Sequence, residues 1–525
     1  MTGISLKPMK KLSGFFKWID NNLVKILLTG FIFLVPLWPK LPIRMINYTY
    51  IAIRFEDIYL VFMILAFFVQ LIRKKIILNK SYLWLFILFW LSLFASVIWG
   101  IYFEKTIIFY HLGYLHALRR VEYMSAFFIA ASVIKTKEDF FQLIKVFFFS
   151  VFLVSLYGLG QKYLGFPAVQ TMNPEYAKGY ILNLTPEARI SSTFAGHYDL
   201  ASYLAFAIPL IISFSFFFKK KLYLIYYFFA LVVLTYTSSR ISFVAYAFTI
   251  FGLLIFIRKY LFLIFAIILT ALVMASSGDL INRFLKTIQF KRILVNQKTG
   301  SVYINQNITT KELPAGSFYV PVKKPPKQVL PTEAVATEVA KIETFKEQLI
   351  EQKVKEATKN KNLSQNEINK LIASLSAELK AINTYVSDIS FATRLQIEWP
   401  RAIDAFNKSK ILGTGPSSIT EATDNDFLRW LGETGLLGTT LFLMILFLIV
   451  KRVWGRVIKF SPENKLIAHG FTFALIALLI NATYIDVFEA SKVAYTFWTI
   501  AGLFVGYSSL NSKVKSQESK MKVKS

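Results

Sequence analysis

"AIPLIISFSFFFKKKLYLIYYFFALVVLTYTSSRISFVAYAFTIFGLLIFIRK", residues 207–259, holds three apolar runs parted by a lysine cluster and by Thr-Ser-Ser-Arg. Each run is apolar on every side, so a helix built from it has no face to offer water. Each also approaches the roughly 20 residues that a bilayer core demands of a helix. Consecutive membrane helices follow, with links near 219–221 and 237–240 so short that hydropathy alone leaves them open. The links alternate in character. Lys219 to Lys221 and then Arg258 and Lys259 fall on one side, and the Ser-Arg turn at Arg240 falls on the other.

Working outward, about twelve such stretches are found along the chain. They centre near 23–39, 56–72, 82–101, 115–134, 140–160, 198–218, 221–237, 241–257, 260–276, 435–450, 466–485 and 492–509. Of the 525 residues, 55% are hydrophobic and 16% aromatic, which excludes a water-soluble globule with a polar surface. The expected class is an all-α polytopic membrane protein. The net charge of +29 is distributed as basic links between apolar spans. That is the pattern of the positive-inside rule, and no basic-aromatic nucleic-acid motif accompanies it. Cysteine is absent, so disulfides and thiolate sites are excluded. The basic start "MTGISLKPMKKLSGFFKWIDNN" lacks a small-residue cleavage site and reads as an uncleaved anchor.

Charge also fixes an expected orientation. With the N-terminus cytoplasmic, Lys74, Lys75, Lys135, Lys137, Lys219 to Lys221, Arg258, Lys259, the Lys451 to Lys459 link and the tail after Asn511 are cytoplasmic too. The organisation expected is a membrane portion over 1–276, a large extracytoplasmic loop over 277–434, a second membrane portion over 435–509 and a basic tail over 510–525. Segment 161–197 is outer as well. Within the large loop, "SVYIN" and "SFYVPV" around "KELPAG" read as a small β-hairpin, followed by the linker "PVKKPPKQVLP". Two amphipathic helices come next, carrying Ile342, Phe345 and Leu349, then Ile368, Leu371, Ile372, Leu375, Leu379 and Ile382, with a Ser364-x-x-Glu367 capping box. They read as a helical hairpin with a solvated Lys/Glu surface.

No nucleotide-binding or zinc signature is present. Instead, arginines gather on one side of the membrane. Arg189 in "EARISSTFAGHYDL", Arg240 in "TYTSSRISF" and Arg394 in "ATRLQIEWPRAI" all fall on the outer face. An arginine at the mouth of a span must snorkel, pair or face a polar cavity, and its forked guanidinium suits phosphate oxygens. Arg119, Arg120 and Glu122 lie in the outer half of the fourth span, as functional groups or as an ion pair closing a helix interface. His197 follows the "STFAG" turn, and Asp486 and Glu489 part the last two spans. In "TDNDFLRWLGETGLLGTTLFLMILFLIV", residues 423–450, Asp424 or Asn425 is placed to cap a helix. Gly435 and Gly438 are placed for close packing of the tenth span against a neighbour.

The order "RISSTF" before a span, "SSR" at an outer turn, "RLQIEWPRAIDAFNKSKILGTG", and Asn425 followed after residues 426–434 by Gly435 and Gly438 resembles the O-antigen ligase and polymerase superfamily of bacterial envelope proteins. The resemblance runs from about residue 55 to 505 and leaves 296–385 as an insertion. It implies an undecaprenyl-pyrophosphate glycan donor, an acceptor hydroxyl on a glycan, lipid or protein, and chemistry on the outer side of the cytoplasmic membrane without nucleotide, metal or other cofactor. Carried over by position, Arg189, Arg240 and Arg394 would hold the pyrophosphate, with Arg119, Arg120 and Asp426 as possible support. Where the ligases place a catalytic histidine, this chain has Asp424 beside Asn425, so the base would be Asp424 or His197. A carboxylate can deprotonate an attacking hydroxyl, as in glycoside hydrolysis, provided its pKa is raised. A repeat-unit polymerase belongs to the same superfamily. A lipid-linked sugar flippase would also use buried arginines, but the internal pairing typical of transporters is not visible here.

Overall fold

The computed structural model describes residues 7–46, 52–169, 179, 181–185, 188–296, 302–303, 319–321, 345–356, 365–388, 391, 393–419, 423–459, 461 and 463–522. It divides into two compact units, Met1–Ile281 with Glu398–Ser525, and Asn282–Ile397.

The first unit is a helical bundle. Its helices are α1 (Lys7–Leu37), α2 (Phe55–Ile72), α3 (Leu83–Tyr102), α4 (Tyr110–Val133), α5 (Lys137–Tyr163), α6 (His197–Phe218), α7 (Leu222–Tyr236), α8 (Arg240–Phe256) and α9 (Tyr260–Ala275), and α10 (Gly278–Lys286) begins in it and ends in the second unit. Eight helices among the described residues are long and apolar enough to cross a membrane, and α7, α8 and α9 are shorter apolar helices. The two short links open in the sequence are true breaks: Lys219 and Ser238 turn the chain with φ of 53° and 51°. On α9, Leu261, Ile264, Phe265, Ile268 and Leu272 are all exposed, an apolar perimeter suited to lipid rather than water.

The chain then crosses the second unit and returns as α13 (Trp399–Lys408), α14 (Asp426–Arg452), α15 (Asn464–Ala482) and α16 (Ser491–Lys522), which complete the bundle. Its centre is set by α6 and α16, whose apolar windows are each 89% buried, against 28% for α1. Close approach makes this possible. A Cβ on Gly502 would stand 2.3 Å from the Phe127 carbonyl oxygen, so α16 rests directly on the backbone of α4.

The two ends of the bundle differ chemically. At one end Lys25 pairs with Asp139, Asp20 pairs with Lys75 and with Arg73 at 2.5 Å, and Lys135 donates to the Lys75 carbonyl at 3.4 Å. This brings together Lys75 and Lys135, from two of the basic links expected on one membrane side. The opposite end carries Asp424 and the groups described below. A small ribbon caps it, β1 (Pro42–Met45) paired antiparallel with β2 (Ala52–Arg54). A second ribbon joins β3 (Ala168–Val169) to β4 (Ile181–Leu182).

The second unit is not simply a hairpin followed by paired helices. It holds a four-stranded antiparallel sheet ordered β6-β5-β8-β7, from β5 (Ile288–Asn296), β6 (Val302–Tyr303), β7 (Tyr319–Pro321) and β8 (Leu379–Asp388). The register runs from Ile288 opposite Ser387 to Asn296 opposite Leu379. The two segments read as one hairpin thus lie on opposite edges of the sheet, parted by the long central pair. Helix α11 spans 345–356, and α12 (Gln365–Glu378) ends where β8 begins. Leu379 and Ile382 therefore belong to a strand, and no residue of α12 is buried. Ile342, Ser364, "KELPAG" and the Pro-Lys linker after Pro321 lie outside the described residues.

Candidate functional site

The site end of the bundle is organised around a break in α14. Gly435 sits inside this helix with φ 62° and ψ −166°, a region essentially closed to residues with a side chain. The reason lies in the loop after α13. Thr414 donates its backbone N–H to the Gly432 carbonyl and Gly415 to that of Glu433, both at 2.9 Å. In return Leu436 donates to Lys410 at 2.8 Å and Leu437 to Ile411 at 3.1 Å. The "ILGTG" segment thus takes over the hydrogen bonds that an unbroken helix would make. Non-helical backbone at such depth is tolerated only where protein groups satisfy it. Gly435 is therefore a helix breaker rather than a helix-packing residue, correcting the sequence expectation. At Gly438 an added Cβ would lie 2.5 Å from the Thr434 side chain of the same helix and only in ordinary contact, 3.6 Å, with Ser92 Oγ of α3.

The helix starts at Asp426, well before the span expected from 435, and the acidic cluster forms its cap. Asn425 is the N-cap: its side-chain oxygen accepts from the Leu428 N–H at 3.1 Å, while its amide donates to the Thr483 carbonyl at 3.0 Å. Asp426 is buried, and its carboxylate accepts the N–H groups of Val487 at 2.8 Å and Phe488 at 3.1 Å. Asp424 is half-buried in a left-handed conformation with φ 50°. A third carboxylate holds this turn. Asp486 accepts backbone N–H groups from Thr423 and Asp424 at 3.0 Å and from Asn425 at 3.1 Å, and a guanidinium N–H of Arg429 at 2.9 Å. The carboxylate set against the Asp424 backbone is thus Asp486, while Asp426 ties down the 487–488 backbone.

Beneath the turn runs a ladder of buried charge. Arg120 donates to Glu489 at 2.7 Å and to Glu433, and Glu433 also accepts the Ser417 N–H at 3.2 Å. Arg429 lies 3.9 Å from Glu433 on the same helix. His116, half-buried on α4, lies within electrostatic range of Glu489, Arg429 and Arg120. Arg119 turns the other way, to the Asp57 carboxylate at 3.2 Å and the Tyr123 hydroxyl at 3.0 Å. Tyr495 donates to Glu122 at 2.7 Å and to Asp57 at 3.3 Å. Arg119, Arg120 and Glu122 are therefore not one local pair; the charged partners of the two arginines lie on other helices, and the partner of Glu122 is the Tyr495 hydroxyl of α16.

The other candidate residues approach from α6 and α8. An Arg189 guanidinium nitrogen lies 2.8 Å from His197 Nε2, and His197 is the first residue of α6. Arg240 is the first residue of α8, preceded by the strained Ser238. Asn481 joins the groups: its side-chain oxygen accepts from Ser242 at 2.5 Å and from Ser202 at 3.4 Å, near the starts of α8 and α6. Two residues later, Thr483 accepts from Asn425. The structure thus gathers Arg189, His197, Arg240, Asp424, Asn425 and Asp426 at one end of one unit. Arg394 belongs to the second unit, where it opens the π-helical turn Arg394–Glu398. Ser192, Ser238, Ser417 and Asp424, all with positive φ, lie in the segments that build this end. Such strain persists only where its surroundings enforce it.

A corner beside α6 completes the picture. Lys492, at the start of α16, donates to the carbonyls of Trp38 at 2.6 Å, Thr193 at 2.7 Å and Pro36 at 3.1 Å. It pins the end of α1 against the segment between Arg189 and His197. Lys40, Arg54 and Glu56 are buried around it, and Asp199 lies within electrostatic range of Lys40, Arg54, Lys492 and Asp486.

Glu433, Arg429, Asn481, Lys40, Arg54, Glu56 and Lys492 were not singled out by sequence reasoning. The i, i+4 pair Arg429 and Glu433 in the first turns of a span was a readable signal. Its partner Arg120, 313 residues from Glu433, was not. Among the described residues, no group of three or more His, Asp or Glu is arranged to hold a metal ion. No family model, curated protein or solved structure matches this chain.

Proposed function

We propose that the protein is an O-antigen ligase-like glycosyltransferase, moving a glycan from undecaprenyl pyrophosphate to an acceptor hydroxyl on the outer face of the cytoplasmic membrane. In this reading α4 and the three shorter helices join the eight long ones as spans, the termini are cytoplasmic, and the Asp424 end is outermost. One observation carries the reading. Asn481 ties the early turns of α6 and α8, the helices that begin at His197 and Arg240, its near neighbour Thr483 accepts from Asn425, and His197 lies against Arg189. These separate pieces of the resemblance therefore fall at the same end of the bundle, opposite Lys75 and Lys135.

The acceptor oxygen attacks the anomeric carbon as the bond from that carbon to the pyrophosphate oxygen breaks. The acceptor proton passes to Asp424, and the pyrophosphate leaves with the bonding electron pair. Negative charge grows on the leaving group, so guanidinium groups already aimed at it favour the transition state over the ground state. Arg189, steadied by His197, and Arg240 are the groups for this task. His197 is less suited to be the base, since its Nε2 already faces Arg189.

The test is to incubate purified protein with a polyprenyl-pyrophosphate glycan and an acceptor, and to measure free polyprenyl pyrophosphate. Release supports the transferase. Movement of intact donor across vesicles without release would establish the flippase instead. A product lengthened by repeat units would mark a polymerase.

A further inference from the structure

We propose that Lys40, Arg54, Glu56 and Asp199 form a carbohydrate subsite, holding the hydroxyls of one sugar ring between cations and carboxylates. The position in a reaction rests on the transferase reading; the subsite itself rests on the geometry of this corner.

Three of its groups are more than nine-tenths buried: Lys40 is 4% exposed, Arg54 6% and Glu56 1%. Burying a charge without a partner is costly, so such groups are normally paired or hydrogen-bonded. Here they are incompletely satisfied. Arg54 Nε and Glu56 Oε2 are buried with no hydrogen-bond partner, although the two side chains lie within electrostatic range of each other. Lys40 makes no hydrogen bond or ion pair with a described residue. Burial, with Arg54 beside it, pushes its ammonium down to about 8. By contrast, neighbouring Lys492 is saturated by three carbonyls, and Glu56 Oε1 accepts from Ser491 at 3.2 Å. The frame is satisfied while the groups it holds are not.

The alternation of sign identifies the ligand class. Cations alone would call for a phosphate, but Glu56 and Asp199 would repel it, and the third cation of the corner, Lys492, is already engaged by three carbonyls. A hydroxyl both donates and accepts, so it can bridge a guanidinium or ammonium to a carboxylate that does not meet it directly. A sugar ring offers several hydroxyls at fixed spacing. An aromatic pair neighbours these groups in sequence: Trp38, two residues before Lys40 and 44% exposed, stacks on Phe55, the residue before Glu56, with ring centroids 4.6 Å apart. The location suits the reading above. Asp199 lies two residues after His197, and the segment from Pro36 to Lys40 is pinned to Thr193, so the subsite adjoins the Arg189–His197 pair.

The test uses full-length protein in a detergent without a sugar headgroup. Saturation-transfer NMR would be recorded with glucose, galactose, mannose and N-acetylglucosamine, and separately with inorganic pyrophosphate. At least one neutral sugar should show transfer, falling at least fivefold in Glu56→Gln and in Arg54→Met, with Lys40→Met as a further variant should either fail to elute as a folded monodisperse species. Pyrophosphate binding should persist in Glu56→Gln. Absence of any sugar signal, a sugar signal unchanged in folded variants, or pyrophosphate binding lost with Arg54→Met and strengthened by Glu56→Gln would overturn the subsite. The parent reading fails separately: if donor cleavage is absent but sugar transfer is seen and lost in the variants, the subsite stands without the transferase.

Discussion

At the residue scale, Asp424 is placed by other groups rather than by its own contacts along the chain. Its left-handed backbone is gripped through the N–H by Asp486, which Arg429 holds in turn. Asp424→Asn should abolish transfer while preserving the fold, and Asp424→His should retain measurable turnover; full activity of Asp424→Asn in the donor-release assay would remove the aspartate from the mechanism. Arg240→Ala should lower turnover by about two to three orders of magnitude, by comparison with loss of one oxyanion-stabilising donor elsewhere. Wild-type release by that variant would end the arginine's role. Arg120 poses a question of stability instead. Its guanidinium serves Glu433 and Glu489 together, so Arg120→Ala leaves the buried Glu433 and the half-buried Glu489 without their shared cation. The expected cost is about 3–5 kcal/mol, read as a lowered thermal midpoint in detergent. Arg120→Lys should recover only part, because a point charge cannot reproduce the fork.

At the element scale, the decisive feature is the insertion of the 410–415 backbone into the α14 break. The apolar run after Gly435 announced a membrane helix, and Asn425 announced a cap, but nothing local showed that one helix would contain both. The exchange of hydrogen bonds between Ile411 and Leu437, and between Thr414 and Gly432, depends on a loop folding back from α13. Gly435→Ala should therefore be disruptive: its Cβ would lie 2.3 Å from the Ile411 carbonyl oxygen, on backbone open essentially to glycine alone. Backbone strain by itself is worth on the order of 1–3 kcal/mol. A thermal midpoint equal to wild type would show that the break relaxes freely. In the second unit, the helical periodicity of residues 368–382 continued past the real end of α12. Pairing with β5 from Leu379 to Ser387 outweighed it, because a strand partner satisfies this backbone in a register that the periodicity cannot reveal.

At the scale of the whole molecule, eight helices among the described residues are long and apolar enough to span a membrane, and ion pairs at the polar end, Arg119 with Asp57, Arg120 with Glu433 and Glu489, and Arg429 with Asp486, tie the bundle together. The absence of cysteine makes sidedness directly measurable. Lys105 and Lys220 are both exposed, the first in the link whose Thr106 donates to Thr414 at 2.6 Å, the second in the basic link between α6 and α7. A membrane-impermeant maleimide should label Lys105→Cys in intact cells and Lys220→Cys only after permeabilisation; the reverse pattern would invert the proposed orientation. The sequence by itself determined that the chain is a bundle of apolar helices with basic links gathered at one end, because apolar length and charge are local properties of the chain. It also marked Arg189, Arg240 and Asp424 as polar groups at helix ends. Only the tertiary structure decided that Asn481 ties the early turns of α6 and α8 together beside the Asn425 cap, that Asp486 rather than Asp426 grips the Asp424 turn, and that Arg120 stands between Glu433 and Glu489. Pairing of buried charge is a relation between helices hundreds of residues apart, and it is fixed by how those helices pack.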